Sequence, residues 1–230
     1  LGPMIRSLFI PEENCTWGCF DYSQQEPRLV VHFASTTAGI KEDPSVKEIV
    51  DNYASNDIDF HKTVADMAGI DRIQAKTINL GLFYGMGKAK LQAELGLSTK
   101  QEAEALFNQY HDRVPFVRNL MQETSRWASR EGEIRTLLGR GCRFNKWEPA
   151  QFGMHTPMTW EDAVKKYGEN RIRRAFTYKA LNKLIQGSAA DMTKKSMLDL
   201  YKEGIIAHIQ IHDELDLSVE SPEQAKKVVE

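Results

Sequence analysis

Two aspartates stand beside segments in which apolar and polar residues alternate. Asp21 follows the short apolar stretch 17–20, and Asp213 lies in the triplet His212-Asp213-Glu214, with alternating residues on both sides. The alternation predicts a hairpin with one buried face and the triplet at its tip. If both aspartates end strands of one sheet, their carboxylates meet at one edge, as two Mg²⁺ ions catalysing in-line phosphoryl transfer require. A solvated acidic turn and an ordinary strand-end aspartate are the alternatives.

Four further residues recur at every fourth position: Arg72, Lys76, Leu80 and Tyr84. On a helix they would lie along one face, which runs cation, cation, apolar group, phenol. The cations suit a triphosphate, and the apolar group and phenol suit a sugar and a base. An ordinary amphipathic helix is the alternative, although glycines at 81 and 85 are poor choices for a purely structural helix.

The chain has 230 residues, of which 41% are hydrophobic and 27% charged, as in a soluble globular protein of one or two domains. No apolar run is long enough to span a membrane, and the N-terminus shows no signal pattern, so we expect a cytoplasmic protein. Net charge is −2, but residues 72–90 and 171–195 are basic and residues 199–230 are acidic. That distribution favours a polyanion near a cation site; solvated helix faces are the alternative. Three cysteines, Cys15, Cys19 and Cys142, are expected to be reduced core thiols.

Turn and cap signals predict an α+β protein with a helical insertion after its first strand. Ser23 and Glu26 predict a capped helix with a first turn distorted by Pro27. Asp57 or Asp59, and later Ser98, are predicted helix caps. The expected elements are extended segments at 5–22, a nearly all-helical block at 44–131, strands at 133–138 and 142–144, a loop at 145–158, a helix at 170–203, a hairpin at 205–219 and a helix from 222.

Three segments, in this order, resemble motifs A, B and C of family A (polymerase I-like) DNA polymerases. They are Asp-Tyr-Ser-Gln-Gln-Glu-Pro-Arg at 21–28, Arg-x3-Lys-x3-Leu-Gly-x2-Tyr-Gly at 72–85 and His-Asp-Glu at 212–214. The resemblance extends from Ile5 over nearly the whole chain. It implies an antiparallel palm sheet with flanking helices, made of residues 5–43 and 132–230, and an inserted fingers subdomain at 44–131. Residues 1–4 are interpreted as an expression remnant, and the C-terminus is interpreted as truncated.

The resemblance also implies an activity: template-directed transfer of a nucleotide from a dNTP to a primer 3′-OH, with two Mg²⁺ ions for which Mn²⁺ can substitute. The implied metal ligands are Asp21, Asp213 and the Tyr22 carbonyl, with Glu214 in support. Lys76 is the implied general acid, because a lysine can lose a proton where an arginine cannot. The implied nucleotide-binding residues are Arg72, Lys76, His61, Leu80, Tyr84, Glu26 and Gln24, and the implied DNA-binding residues are Asn182, Gln186, His212 and Arg140. Among these, Glu26 resembles a steric gate against a ribose 2′-hydroxyl, supported by Tyr84. A surface helix histidine is the alternative for His61.

Several positions depart from the family pattern. Leu80 stands where Phe or Tyr is usual, which predicts altered selection at the 3′ position of the sugar. Gln25, Pro27 and Tyr178 also differ, and these differences hint at a phage-type member acting in bacterial or phage-infected cytosol. Thumb and exonuclease portions of a parent chain have no counterpart here, so the isolated chain is expected to bind DNA or nucleotide weakly and to fail to extend a primer. The alternatives are a single-subunit RNA polymerase, against which Glu26 argues, and a non-catalytic nucleic-acid-binding module.

Overall fold

The computed structural model describes residues 3–55, 59–83, 86, 88–151, 153 and 155–229. They form two compact units, one made of Leu1–Gln25 with Ser188–Glu230 and the other of Glu26–Gly187. Helices and small antiparallel sheets are combined in one chain, so the predicted α+β class is confirmed. Within the described residues, no helix is both long and apolar enough to cross a membrane.

The helices are α1 (Pro3–Arg6), α2 (Gln25–Thr36), α3 (Pro44–Ser55), α4 (Phe60–Ala68), α5 (Arg72–Phe83), α6 (Lys88–Glu94), α7 (Lys100–Arg113), α8 (Pro115–Glu131), α9 (Trp160–Tyr167), α10 (Ala180–Lys202) and α11 (Pro222–Val229). The strands are β1 (Thr16–Asp21), β2 (Glu133–Arg135), β3 (Gly141–Arg143), β4 (Trp147–Pro149), β5 (Ile172–Arg174), β6 (Ile209–Ile211) and β7 (Glu214–Val219). Short 3₁₀ turns at Glu169–Arg171 and Thr177–Lys179 flank β5.

The first unit is built on a three-stranded antiparallel sheet in the order β1-β7-β6. The predicted hairpin is confirmed: Ile211 of β6 lies opposite Glu214 of β7. The predicted pairing of the two acid-bearing strands is also confirmed, since Asp21 lies opposite Glu214 in the β1–β7 register. Leu215 and Leu217 are buried on one face of the central strand. Chain segments about 190 residues apart therefore share one sheet.

The other face of β7 is not open to solvent, contrary to the expectation of one buried face. Asp216 lies on this face, yet only 2% of its surface is exposed. The N-terminal segment covers it: Arg6 of α1 bonds the Glu214 carboxylate, and the Glu12 N–H donates to the Ser218 hydroxyl at 2.9 Å. The predicted extended stretch at 5–22 is accordingly wrong in its first part, because the strand begins only at Thr16.

The second unit holds most of the helices. Asp59 caps α4 by accepting from the Lys62 N–H, as predicted, and Asp57 lies outside the described residues. The cap of α7 is Thr99, whose side chain accepts from the Glu102 N–H, and not the predicted Ser98. Large, fully buried side chains from these helices form the core of this unit; they include Ile49, Phe60, Ile78, Tyr110, Phe116 and Leu120.

Two local predictions in the second unit are wrong for identifiable reasons. Pro27 is the third residue of α2. The N–H groups of the first helical turn have no carbonyl partner within the helix, so a proline there breaks no hydrogen bond and the expected distortion has no cause. The predicted loop at 145–158 contains β4, which pairs with β5 at the start of the predicted helix 170–203. Arg174 of β5 stacks its guanidinium 4.6 Å from the Trp147 ring centroid, and Arg173 bonds Glu148 at 2.9 Å. These cross-strand contacts stabilise two very short strands, and α10 begins only at Ala180.

Candidate active site

Three carboxylates share one edge of the sheet in the first unit. Asp21 ends β1 opposite Glu214, and the Tyr22 N–H donates to the Asp213 carbonyl at 3.4 Å. Burial raises the pKa of Asp21, and the neighbouring charges of Asp213 and Glu214 raise it further. This mutual repulsion is what a bound cation would relieve. The structure thus places the two aspartates singled out in the sequence at one sheet edge.

Glu214 is held differently from the aspartates. Arg6 donates to both of its carboxylate oxygens, at 2.7 and 3.1 Å. This forked contact holds the pKa of Glu214 below its ordinary value, so the side chain stays ionised and oriented. The position of Glu214 beside Asp213 therefore depends on α1, an element that the sequence did not connect to the hairpin.

A cleft of about 980 Å³ opens beside Asp21 in the first unit. Tyr22, Ser196 and Lys202 are among its lining residues, which come from the end of β1, the last turns of α10 and α11. A hydrogen bond between the Tyr22 and Ser196 hydroxyls fastens the chain after β1 to α10. That contact fixes the backbone at Tyr22, whose carbonyl is a predicted metal ligand.

The predicted triphosphate-binding residues lie in the second unit, on α4 and α5. Arg72 forms an ion pair with Asp59, its Nε donating at 2.7 Å. Lys76, one turn later, is exposed, and within the described part of the chain no acid pairs with it. Leu80 is partly buried one turn further on, and Tyr84 lies outside the described residues. Arg72 and Lys76 are thus cations at the start of α5, one of them already neutralised by a carboxylate.

His61 is a buried residue of α4, not a surface histidine. Its Nδ1 lies 3.2 Å from the Asn79 side-chain nitrogen, and the Tyr110 hydroxyl donates to the Asn79 carbonyl oxygen. Burial lowers the pKa of His61, and the nearby charges of Arg72 and Lys76 contribute to the lowering. A neutral His61 is therefore the form that this environment favours near pH 7.

The predicted DNA-binding residues of the second unit lie close together. Asn182 and Gln186 are four residues apart on α10; Asn182 is partly buried and Gln186 is exposed. Arg140 donates from Nη2 to the carbonyl of Gly187 at 2.9 Å, so it lies beside the turn that carries Gln186.

The remaining predicted site residues also have defined positions. Gln24 and His212 have left-handed backbone conformations, both with φ of 55°, and Glu26 is in the first turn of α2.

One site residue escaped the sequence interpretation. Asp216 is buried beside Glu214 and directly opposite Cys19, and its Oδ1 accepts no hydrogen bond from a described residue. Burial raises the pKa of Asp216 and that of the Cys19 thiol. The cysteines are free, as expected, but Cys19 is exposed and the other two are partly buried, so they are not core thiols. Alternation with Leu215 and Leu217 places Asp216 at a polar position of the strand, so the local sequence carries no signal of its burial.

Comparison with known proteins places this geometry in a family. The model of "DNA polymerase family A" matches residues 1–230. The chain belongs to this family. Similar proteins include a "DNA-directed DNA polymerase" of Pseudomonas phage M6, 34% identical over 96% of this chain and 36% of its own length. The "DNA polymerase I, thermostable" of Thermus aquaticus is 32% identical over 100% of this chain and 25% of its own.

A solved family structure has the same fold. The "POL domain of Pol1 from M. smegmatis complex with DNA primer-template and dNTP" is 26% identical, with a TM-score of 0.71 over 98% of this chain and 38% of that chain. This chain spans about a third of the length of the phage relatives and about a quarter of the bacterial enzymes. Both phage and bacterial polymerases are thus among its relatives.

Proposed function

We propose that this chain carries the nucleotidyl-transfer centre of template-directed DNA synthesis, in which a dNTP is joined to a primer 3′-OH. One observation supports this above the others: Asp21 and Asp213 lie at the edge of one sheet in a chain of DNA polymerase family A. In this proposal residues 5–43 and 132–230 form the palm and residues 44–131 form the fingers. The parent protein's thumb and exonuclease portions, a DNA primer-template and dNTPs are the proposed partners, in the cytosol of a bacterium or an infected host.

The residues at the sheet edge fit hard divalent cations. Asp21, Asp213 and the Tyr22 carbonyl offer only oxygen, which Mg²⁺ and Mn²⁺ prefer. Two such ions, when bound, would neutralise charge on the triphosphate and make the primer hydroxyl a better nucleophile. Burial and the neighbouring charges of Asp213 and Glu214 together raise the pKa of Asp21, and a cation there would offset both effects. Glu214, fixed by Arg6, supports the edge without being a ligand of these two ions.

The triphosphate would be bound by Arg72, Lys76 and His61. Arg72 must exchange Asp59 for phosphate oxygens, which its forked guanidinium suits. Lys76 is exposed and can donate a proton to the departing pyrophosphate. Neutral His61 can donate a hydrogen bond from Nε2 while its Nδ1 accepts one from Asn79. Charge neutralisation and positioning are the main requirements of this chemistry, and these side chains supply both.

Sugar and base selection would depend on residues beside the motif A strand and on α5. Glu26, in the first turn of α2, would exclude a ribose 2′-hydroxyl together with Tyr84, and Gln24 would contact the nucleotide. Leu80 would lie against the sugar. An RNA polymerase is not favoured, because the family model and the relatives named above are DNA polymerases.

The primer-template would be contacted by Asn182, Gln186, Arg140 and His212. Minor-groove acceptors are nearly alike for all base pairs, so amide side chains there check geometry without reading sequence. Arg140 is already fixed to the helix turn that carries Gln186. These contacts would therefore report a correctly paired primer end.

Primer extension with Mg²⁺ tests the proposal. Asp21→Asn and Asp213→Asn are made in the full-length protein, with Asp199→Asn as the matched control. Asp199 lines the same cleft as Asp21 but pairs with Lys195 on α10. We expect each site variant to lose on the order of 100-fold or more in extension rate. Full extension by Asp21→Asn would refute the assignment, and so would an equal loss in Asp199→Asn.

A further inference from the structure

We propose a second cation site in the first unit, formed by Cys19, Glu214 and Asp216 and suited to a zinc-class divalent ion. One donor atom from each residue lies within 4.8 Å of the other two. Donors on a single tetrahedral zinc are roughly 3.5 Å apart, as bond lengths of about 2.0–2.3 Å require. Side-chain adjustment of about 1 Å therefore completes the site without moving the strands.

The strands themselves preset these donors. Cys19 of β1 and Asp216 of β7 are direct partners in the register, so their side chains project from the same face of the sheet. Glu214 is two residues before Asp216 on β7 and shares that face. The three ligands therefore depend on the β1–β7 ladder and not on a loop.

Asp216 gives the independent reason to expect a ligand. The residue is 2% exposed, and its Oδ1 accepts no hydrogen bond from the described part of the chain. A buried carboxylate oxygen without a partner costs free energy that a cation would recover. The N-terminal segment covers the Glu214 and Asp216 side of the site, since Arg6 and Glu12 both bond residues of this face, while Cys19 stays exposed and open to an entering ion.

Charge and donor type indicate the kind of ion. Two carboxylates and a thiolate carry three negative charges, which a divalent ion and the Arg6 guanidinium would balance. Arg6 leaves lone pairs free on both Glu214 oxygens, and such a hydrogen-bonded carboxylate is a well-oriented ligand. Sulfur in the set favours Zn²⁺, Co²⁺ or Cd²⁺ over Mg²⁺. The proposed site is thus chemically distinct from the all-oxygen edge at Asp21 and Asp213.

Titration with Co²⁺ tests the proposal through the near-ultraviolet charge-transfer absorption of a thiolate–cobalt bond. The protein used is the Asp21→Asn/Asp213→Asn double variant, so that the proposed catalytic ions do not contribute. We expect the absorption to saturate at one equivalent and to be abolished by excess Zn²⁺. Cys19→Ser should remove it, and Asp216→Asn should weaken Co²⁺ binding at least tenfold. Cys15→Ser and Cys142→Ser, at the other free cysteines, should leave it unchanged.

Thermal unfolding supplies a second measurement, because an ion that binds only the folded chain raises the melting temperature. Zn²⁺ should raise it in the double variant and not after Cys19→Ser is added. Cys19 is exposed, so serine there leaves the fold intact. No thiolate absorption, or absorption that survives Cys19→Ser, would overturn the proposal. In that case a proton shared between Glu214 and Asp216 offsets their repulsion, and the two carboxylates bind no metal ion. Loss of primer extension in the Asp21 variants bears only on the proposed function.

Discussion

Gly187 is the glycine whose replacement has two opposing and calculable effects. It lies inside α10, where Gly→Ala is normally stabilising by about 0.8–1.0 kcal/mol. A Cβ at this position, however, would lie 2.7 Å from Cγ2 of Thr136 and 3.3 Å from Nη2 of Arg140. Carbon atoms in favourable contact are about 3.5–4.0 Å apart, so something must move.

Thr136 cannot move easily. It is 5% exposed, and its turn is closed by the Thr136 N–H to the Arg140 carbonyl and by the Arg140 N–H to the Thr136 hydroxyl, both at 3.0 Å. Overpacking against such a held group costs about 1–3 kcal/mol. We therefore expect Gly187→Ala to reduce the free energy of unfolding by roughly 1 kcal/mol after the gain in helix propensity is subtracted. Displacement of α10 would also lengthen the Arg140–Gly187 hydrogen bond and, under the proposed role of Arg140 and Gln186, weaken primer-template binding.

Thr136→Ser gives the matched control, since it deletes only the methyl group that clashes and keeps the hydroxyl that accepts from Arg140. Urea unfolding of the wild type, both single variants and the double variant forms a complete cycle. In the Thr136→Ser background, Gly187→Ala should be stabilising by up to about 1 kcal/mol. If Gly187→Ala stabilises the wild type as much as it stabilises Thr136→Ser, the steric argument is wrong.

Two further predictions concern the second unit. Burial lowers the pKa of His111 to about 4, and no described residue bonds its ring nitrogens, so unfolding takes up a proton below pH 6.5. A pKa displaced from 6.5 to about 4 corresponds to about 3 kcal/mol. With a reduction for solvent screening, stability should fall by about 2 kcal/mol as pH drops from 6.5 towards 4. Urea unfolding should show a clearly shallower slope in His111→Phe, which keeps the edge contact with Phe107, while the buried His61 still contributes; equal slopes would exclude His111 as a cause. Leu80→Phe should change the ratio of dideoxy- to deoxynucleotide incorporation in primer extension, and an unchanged ratio would remove Leu80 from sugar selection.

Hydrophobic periodicity predicted some parts of this molecule, and the requirement that metal-binding carboxylates lie together predicted others. The β6–β7 hairpin follows from alternation around a polar tip, and the cap at Asp59 follows from residue type. The pairing of β1 with β7 has no local signal; it was expected because two carboxylates that share metal ions must meet. Strand β4 was missed because three residues are too few to show a period, and its stability comes from Arg174 on Trp147.

For Asp216, the local sequence predicts the face of the strand correctly but not its burial. Alternation around Leu215 and Leu217 assigns Asp216 to a solvent-facing side, and the assignment of its face is correct. Its burial depends on Arg6 and on other residues about 200 positions earlier, which no pattern near the hairpin encodes. The same N-terminal segment orients Glu214, so one non-local contact decides the state of two of the hairpin's acids. The motifs alone predicted that Asp21 and Asp213 meet at one sheet edge, because two metal ions need both carboxylates. The burial of Asp216 depends on contacts of the N-terminal segment, which only the three-dimensional structure shows.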